Sequence, residues 1–61
     1  MKTKCFTLRW DDNSIIAVDN IEFGFPCFVR VADRGPEFYE VTIEARIEDW
    51  PSIERKLAPY V

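Results

Sequence analysis

The chain contains no histidine, and so lacks the side chain that most often moves protons near neutral pH. Its two cysteines cannot make up the four Cys/His ligands of a structural zinc centre. Glycine occurs only at Gly24 and Gly35, isolated from each other, so there is no glycine-rich loop to cradle a phosphate. No apolar run approaches the ~18 residues of a membrane-spanning helix. The first nine residues, Met1 to Arg9, carry cations but no apolar core of a signal peptide. These absences lead us to expect a cytoplasmic protein with no cofactor, no metal and no membrane contact. In a reducing compartment Cys5 and Cys27 are expected as free thiols; a disulfide stays open only if their strands are neighbours.

What the chain has is apolar surface and acid. Its 61 residues, 48% hydrophobic and 31% charged, suit one small soluble domain spanning 1–61. A domain this short buries only about 60% of its unfolded surface and is marginally stable. Nine aromatics raise the apolar area available to it, at about 150–250 Å² each. The net charge of −3 argues against direct nucleic-acid binding.

Along the chain, Lys4–Trp10 alternates, with Phe6, Leu8 and Trp10 on one side, and predicts a strand. Asp11–Ser14 reads as a turn, and Ile15–Val18 as a second, β-branched strand and hairpin partner. Asp19–Pro26 is irregular, an edge strand or a packed loop. Cys27–Ala32 reads as a strand with Cys27, Val29 and Val31 on one face, followed by a turn at Asp33–Pro36. Phe38–Glu48 has the cleanest alternation: Tyr39, Val41, Ile43, Ala45 and Ile47 against Glu40, Thr42, Glu44, Arg46 and Glu48. A strand is favoured over a helix because a helix would scatter its apolar residues. A short helix then opens at Asp49–Ser52, with Asp49 as a candidate cap, and ends before Pro59. Trp50, Ile53 and Leu57 form its apolar stripe.

The expected fold class is α+β: a small antiparallel sheet of three to four strands with one short C-terminal helix packed on it, in the order β-β-(β)-β-α. One short helix cannot cover four strands, so either the middle segment or a second copy of the chain must complete the cover.

No nucleophile has an evident base. Ser14 and Ser52 read as turn and cap residues, and the cysteines have no histidine partner. Asp11-Asp12-Asn13 lacks the ligand spacing and terminal glutamate of a calcium loop.

Charge is the feature beyond a plain domain. From Glu37 to Glu54 six acids (Glu37, Glu40, Glu44, Glu48, Asp49 and Glu54) face one base, Arg46, whereas Lys2, Lys4 and Arg9 open the chain without an acid. The acids are either the wet face of an antiparallel sheet, paired with cations from a neighbouring strand, or a negative face that meets a basic partner. Glu40 and Glu44 on a strand are about 13 Å apart, too sparse to copy the ~3.4 Å charge spacing of a DNA strand. The segment Ile21–Phe28 adds a second candidate surface, with Phe23 and Phe25 as satellite core or exposed anchors. Trp50 has the same two readings.

The functional expectation is a non-enzymatic, small acidic protein that binds and inhibits or modulates another protein. Glu37, Glu40, Glu44, Glu48, Asp49, Glu54, Phe23, Phe25 and Trp50 are its candidate contacts. The partner would be another protein met through a general acidic patch. One concrete form is a partner whose basic surface binds nucleic acid, met by a phage or mobile-element anti-defence inhibitor of anti-CRISPR type. The alternative is a homodimeric structural or antitoxin-like regulatory module.

Overall fold

The computed structural model describes all 61 residues. Strand β1 (Lys2–Arg9) leads into helix α1 (Asp12–Gly24), then come strands β2 (Cys27–Asp33) and β3 (Phe38–Ala45). A 3-10 turn at Ile47–Asp49 enters helix α2 (Trp50–Leu57), and a second 3-10 turn covers Ala58–Tyr60. The sheet order is β1-β3-β2, with β3 antiparallel to both neighbours. The edge strands are therefore parallel to each other, joined by α1 as a crossover, with β3 slotted between them.

The antiparallel α+β architecture and the C-terminal helix agree with the sequence. The region 12–24 does not: the expected second strand at Ile15–Val18 and the irregular segment after it, as far as Gly24, lie in one 13-residue helix, while Phe25 is extended. Its buried positions, Ser14, Val18 and Ile21, continued by half-buried Phe25, are spaced four, three and four apart, which is helical period. Ile15, Ile16 and Phe23 stay exposed and hide that period in the sequence. Asp11-Asp12-Asn13 is a helix start, not a turn. The Asp11 side chain accepts the Asn13 amide at 2.8 Å, a helix N-cap bond.

Both helices lie on one face of the sheet. Leu8, Tyr39, Val41, Ile43 and Ala45 from the strands meet Val18 and Ile21 of α1 and Trp50, Ile53 and Leu57 of α2 in one core. Phe6, Phe25, Cys27, Val29 and Tyr60 pack at its margin. A second helix, rather than a second copy, thus supplies the missing cover over the middle of the sheet.

β3 ends at Ala45, so Ile47 and Glu48 do not continue its alternation. Ile47 is exposed in the 3-10 turn. Asp49 adopts helical geometry and makes no side-chain cap bond; it accepts the Arg46 guanidinium at 2.8 Å instead.

Cys5 and Cys27 are free. Their strands flank β3 on opposite sides, about 10 Å apart, beyond the ~7 Å Cα reach of a disulfide. Their side chains also point to opposite faces: Cys5 lies opposite Thr42 on the open face, Cys27 opposite Ala45 on the helix side.

Candidate functional site

The sheet has one open face. Register places Thr3, Cys5, Thr7 and Arg9 of β1, Phe38, Glu40, Thr42 and Glu44 of β3, and Phe28, Arg30 and Ala32 of β2 on it. Of the two readings of its acids, a wet face paired with cations or a negative face for a partner, the charges on this face fit the first: they balance. Arg34 grips Glu40 with two nitrogens, at 2.9 and 3.3 Å. That hydrogen bonding is the main cause holding the Glu40 carboxyl below its ordinary pKa. Glu44 accepts from Thr3 at 3.5 Å, and Arg9 lies 5.5 Å from the Phe38 ring.

The remaining acids of the 37–54 segment scatter. Glu48 and Asp49 both contact Arg46, at 3.4 and 2.8 Å. Glu54 on α2 pairs with Lys4 of β1. Glu37 is exposed in the β2–β3 turn, and its carbonyl accepts the Trp10 amide. The six acids are therefore not one surface. Four of them are held by cations, because β3 turns away into α2 after Ala45 and carries the last three off the sheet.

The aromatic candidates separate as well. Trp50 is 3% exposed, its indole N–H donating to the Lys2 carbonyl at 3.0 Å, so it is core. Phe25 packs at the core margin. Phe23 is 85% exposed on α1, and Phe28, on the open sheet face, is 71% exposed.

Sequence reasoning missed the acidic face that the fold does build. From Trp10 to Val29 there is no cation, and Asp11, Asp12, Asp19 and Glu22 all lie at or on α1. Asp12, Ile16, Asp19 and Phe23 stand four, seven and eleven residues along the helix, on the side opposite Ser14, Val18 and Ile21. All four are exposed, Ile16 at 55%. Together they make a stripe about 16 Å long, with carboxylates alternating with apolar groups. The signal was present as a cation-free stretch, but reading 15–18 as a strand put Ile15 and Ile16 on opposite faces.

Ser14 is buried against the Arg9 and Asp11 carbonyls and the Tyr39 hydroxyl, each at 2.9 Å. Ser52 is half-buried in the first turn of α2. Burial, and then Glu22 and Asp49, push the Cys27 thiol above its ordinary pKa. No three Cys, Asp or Glu side chains gather as a metal-holding group. No helix is long and apolar enough to cross a membrane. No family model, curated protein sequence or solved structure matches this chain.

Proposed function

We propose that this chain is a non-enzymatic binding module that occupies a basic surface on another protein through the outer face of α1. The observation that carries the reading is the stripe Asp12, Ile16, Asp19 and Phe23, exposed and without a cation on the helix. A helix of this kind suits a groove that offers an apolar pocket between cations. Phe23 is the anchor, and the carboxylates around it speed encounter and fix orientation. Where such a basic groove also receives an anionic ligand of its own, occupying it would block that use. An anti-defence inhibitor is one form such a blocker takes.

The reading is supported by the state of the nucleophiles. Ser14 is enclosed by carbonyls and a phenol, and the Cys5 thiol lies between the Thr42 hydroxyl, at 3.5 Å, and the Glu40 carboxylate, to which it donates. The carbonyls, the phenol and the Thr42 hydroxyl are not bases that would activate a nucleophile, and the Glu40 carboxyl, held below its ordinary pKa chiefly by Arg34, is a poor one for a thiol.

Affinity capture from the native host, followed by mass spectrometry, tests the proposal. Phe23→Ala and the pair Asp12→Lys with Asp19→Lys should each lose the same basic protein that the unaltered chain retains. These positions are exposed, so circular dichroism should match in all three. If every captured protein is retained equally by both variants, the α1 reading is wrong.

A further inference from the structure

We propose that two copies of this chain join edge to edge through β2, antiparallel, to form one continuous six-stranded sheet. This goes beyond the α1 reading and does not depend on it.

Backbone parity comes first. The Arg34 amide donates to the Phe38 carbonyl at 3.0 Å. In an antiparallel ladder, hydrogen-bonded and non-hydrogen-bonded pairs alternate. Phe28, Arg30 and Ala32, opposite Glu44, Thr42 and Glu40, therefore spend their amides and carbonyls on β3. Those of Cys27, Val29, Val31 and Asp33 point off the sheet, where no backbone or side-chain group of the chain meets them.

The other edge has the same parity but different guards. β1 carries Lys2, Lys4 and Arg9 and no acid, so pairing two β1 edges would gather six cations. β2 carries Arg30 and Asp33, which cancel, and has no lysine or proline within it. Its apolar cover is also unfinished on both faces. Val31, on the helix side opposite Val41, is 50% exposed, and Phe28 projects from the open face. An added strand covers both.

The parity restricts the register, because outward-facing residues must meet outward-facing residues. Centring the two-fold on Arg30 would set two guanidiniums directly opposite each other, which is repulsive. Centring it on Val31 would set Asp33 against Val29. Centring it on Val29 sets Cys27 against the second copy's Val31, and Phe28 against the second copy's Arg30, twice. The latter is a cross-strand cation–π pair. This register forms about six inter-chain backbone bonds and leaves both helix layers on the same side. The occupant of the β2 edge is thus a second copy, matched by its own charge and parity.

The seam is narrow beside a standard interface of ~1,600 Å², so association is read between about 10 µM and 1 mM. Sedimentation of the purified full chain should show the mass rising from 7.2 kDa toward its double over that range. Amide exchange should slow at high concentration, by about fivefold or more, at Cys27, Val29 and Val31. Phe28, Arg30 and Ala32 should be protected at every concentration. Val29→Pro removes only an outward amide and should abolish association with an unchanged circular dichroism spectrum. Val31→Lys, an inward-pointing edge charge, should do the same by a second route. Phe28→Lys should oppose the partner's Arg30 and prevent dimers, whereas Phe28→Glu should keep them. A chain that stays monomeric to 1 mM, or one that gains protection at Thr3, Cys5 and Thr7 instead, overturns the proposal. So does a Phe28→Lys variant that associates like the unaltered chain. None of these substitutions touches Asp12, Ile16, Asp19 or Phe23, so either proposal can fail while the other stands.

Discussion

The Ser14 hydroxyl lies 2.9 Å from the Tyr39 hydroxyl, fastening the first turn of α1 to the central strand. Both groups are buried, and Ser14 has one proton to give to the Arg9 or Asp11 carbonyl. Tyr39 therefore donates and Ser14 accepts. Ser14→Ala leaves the phenol buried without a partner and should cost about 1–3 kcal/mol, more than the ~1 kcal/mol expected for Tyr39→Phe. Urea denaturation of the two single variants and the double variant checks this. The double variant should cost clearly less than the two singles summed, because it leaves no orphaned phenol; simple additivity would mean that the hydroxyls are not coupled.

The Arg34–Glu40 pair closes the β2–β3 turn and should be acid-sensitive. Hydrogen bonding to Arg34 depresses the Glu40 pKa in the folded chain. A depressed carboxylate contributes its stabilisation above the unfolded value and loses it as the pH falls through the folded value. The turn should therefore hold at neutral pH and loosen below the ordinary glutamate value of 4.5. Both side chains are partly exposed, so the effect on global stability is small. NMR titration of the Glu40 carboxyl reads it directly: Arg34→Gln should move the midpoint upward, and an unmoved midpoint would exclude Arg34 as the cause.

How much of this was legible in the sequence depended on whether burial followed one period. β3 was legible because Tyr39, Val41, Ile43 and Ala45 alternate without exception, and α2 because Trp50, Ile53 and Leu57 share a stripe. α1 was not, because its face is opened by a serine and its outer side carries Ile15, Ile16 and Phe23. The site failed for a related reason. Counting charge along 37–54 joins residues that the bend after Ala45 separates, while the acids of α1 become one face only once a helix is assigned. Cation partners such as Arg34 for Glu40 and Lys4 for Glu54 come from the turn and from the far edge strand, which linear spacing does not bring together.

The two thiols should differ in reactivity and never join. Unreduced protein should show two free thiols by mass, since β3 stands between their strands. Iodoacetamide at about pH 8 attacks thiolates. It should label exposed Cys5 first and Cys27 slowly, because burial and then the Glu22 and Asp49 carboxylates raise the Cys27 pKa. Glu22→Gln removes one of these charges and should speed Cys27 labelling. Equal rates at the two sites would contradict the placement of Cys27 beneath α1.

Phe23 and Trp50 look alike in sequence as aromatic candidates, and their replacement should separate surface from core. Trp50 packs 6.1 Å from Phe6, lies under the Lys4 ammonium at 5.1 Å and ties α2 to the start of β1 through the Lys2 carbonyl. Trp50→Ala should cost about 3–5 kcal/mol, comparable to the whole stability of about 0.05–0.15 kcal/mol per residue expected for a chain of this size. That variant should be largely unfolded. Trp50→Phe keeps most of the packing, loses the bond to Lys2 and should stay folded with a lower midpoint. Phe23→Ala should shift stability by no more than about 0.5 kcal/mol, as for other exposed sites. Thermal melts by circular dichroism compare the three. A destabilisation by Phe23→Ala as large as that of Trp50→Ala would put Phe23 in the core and remove the anchor from the α1 face.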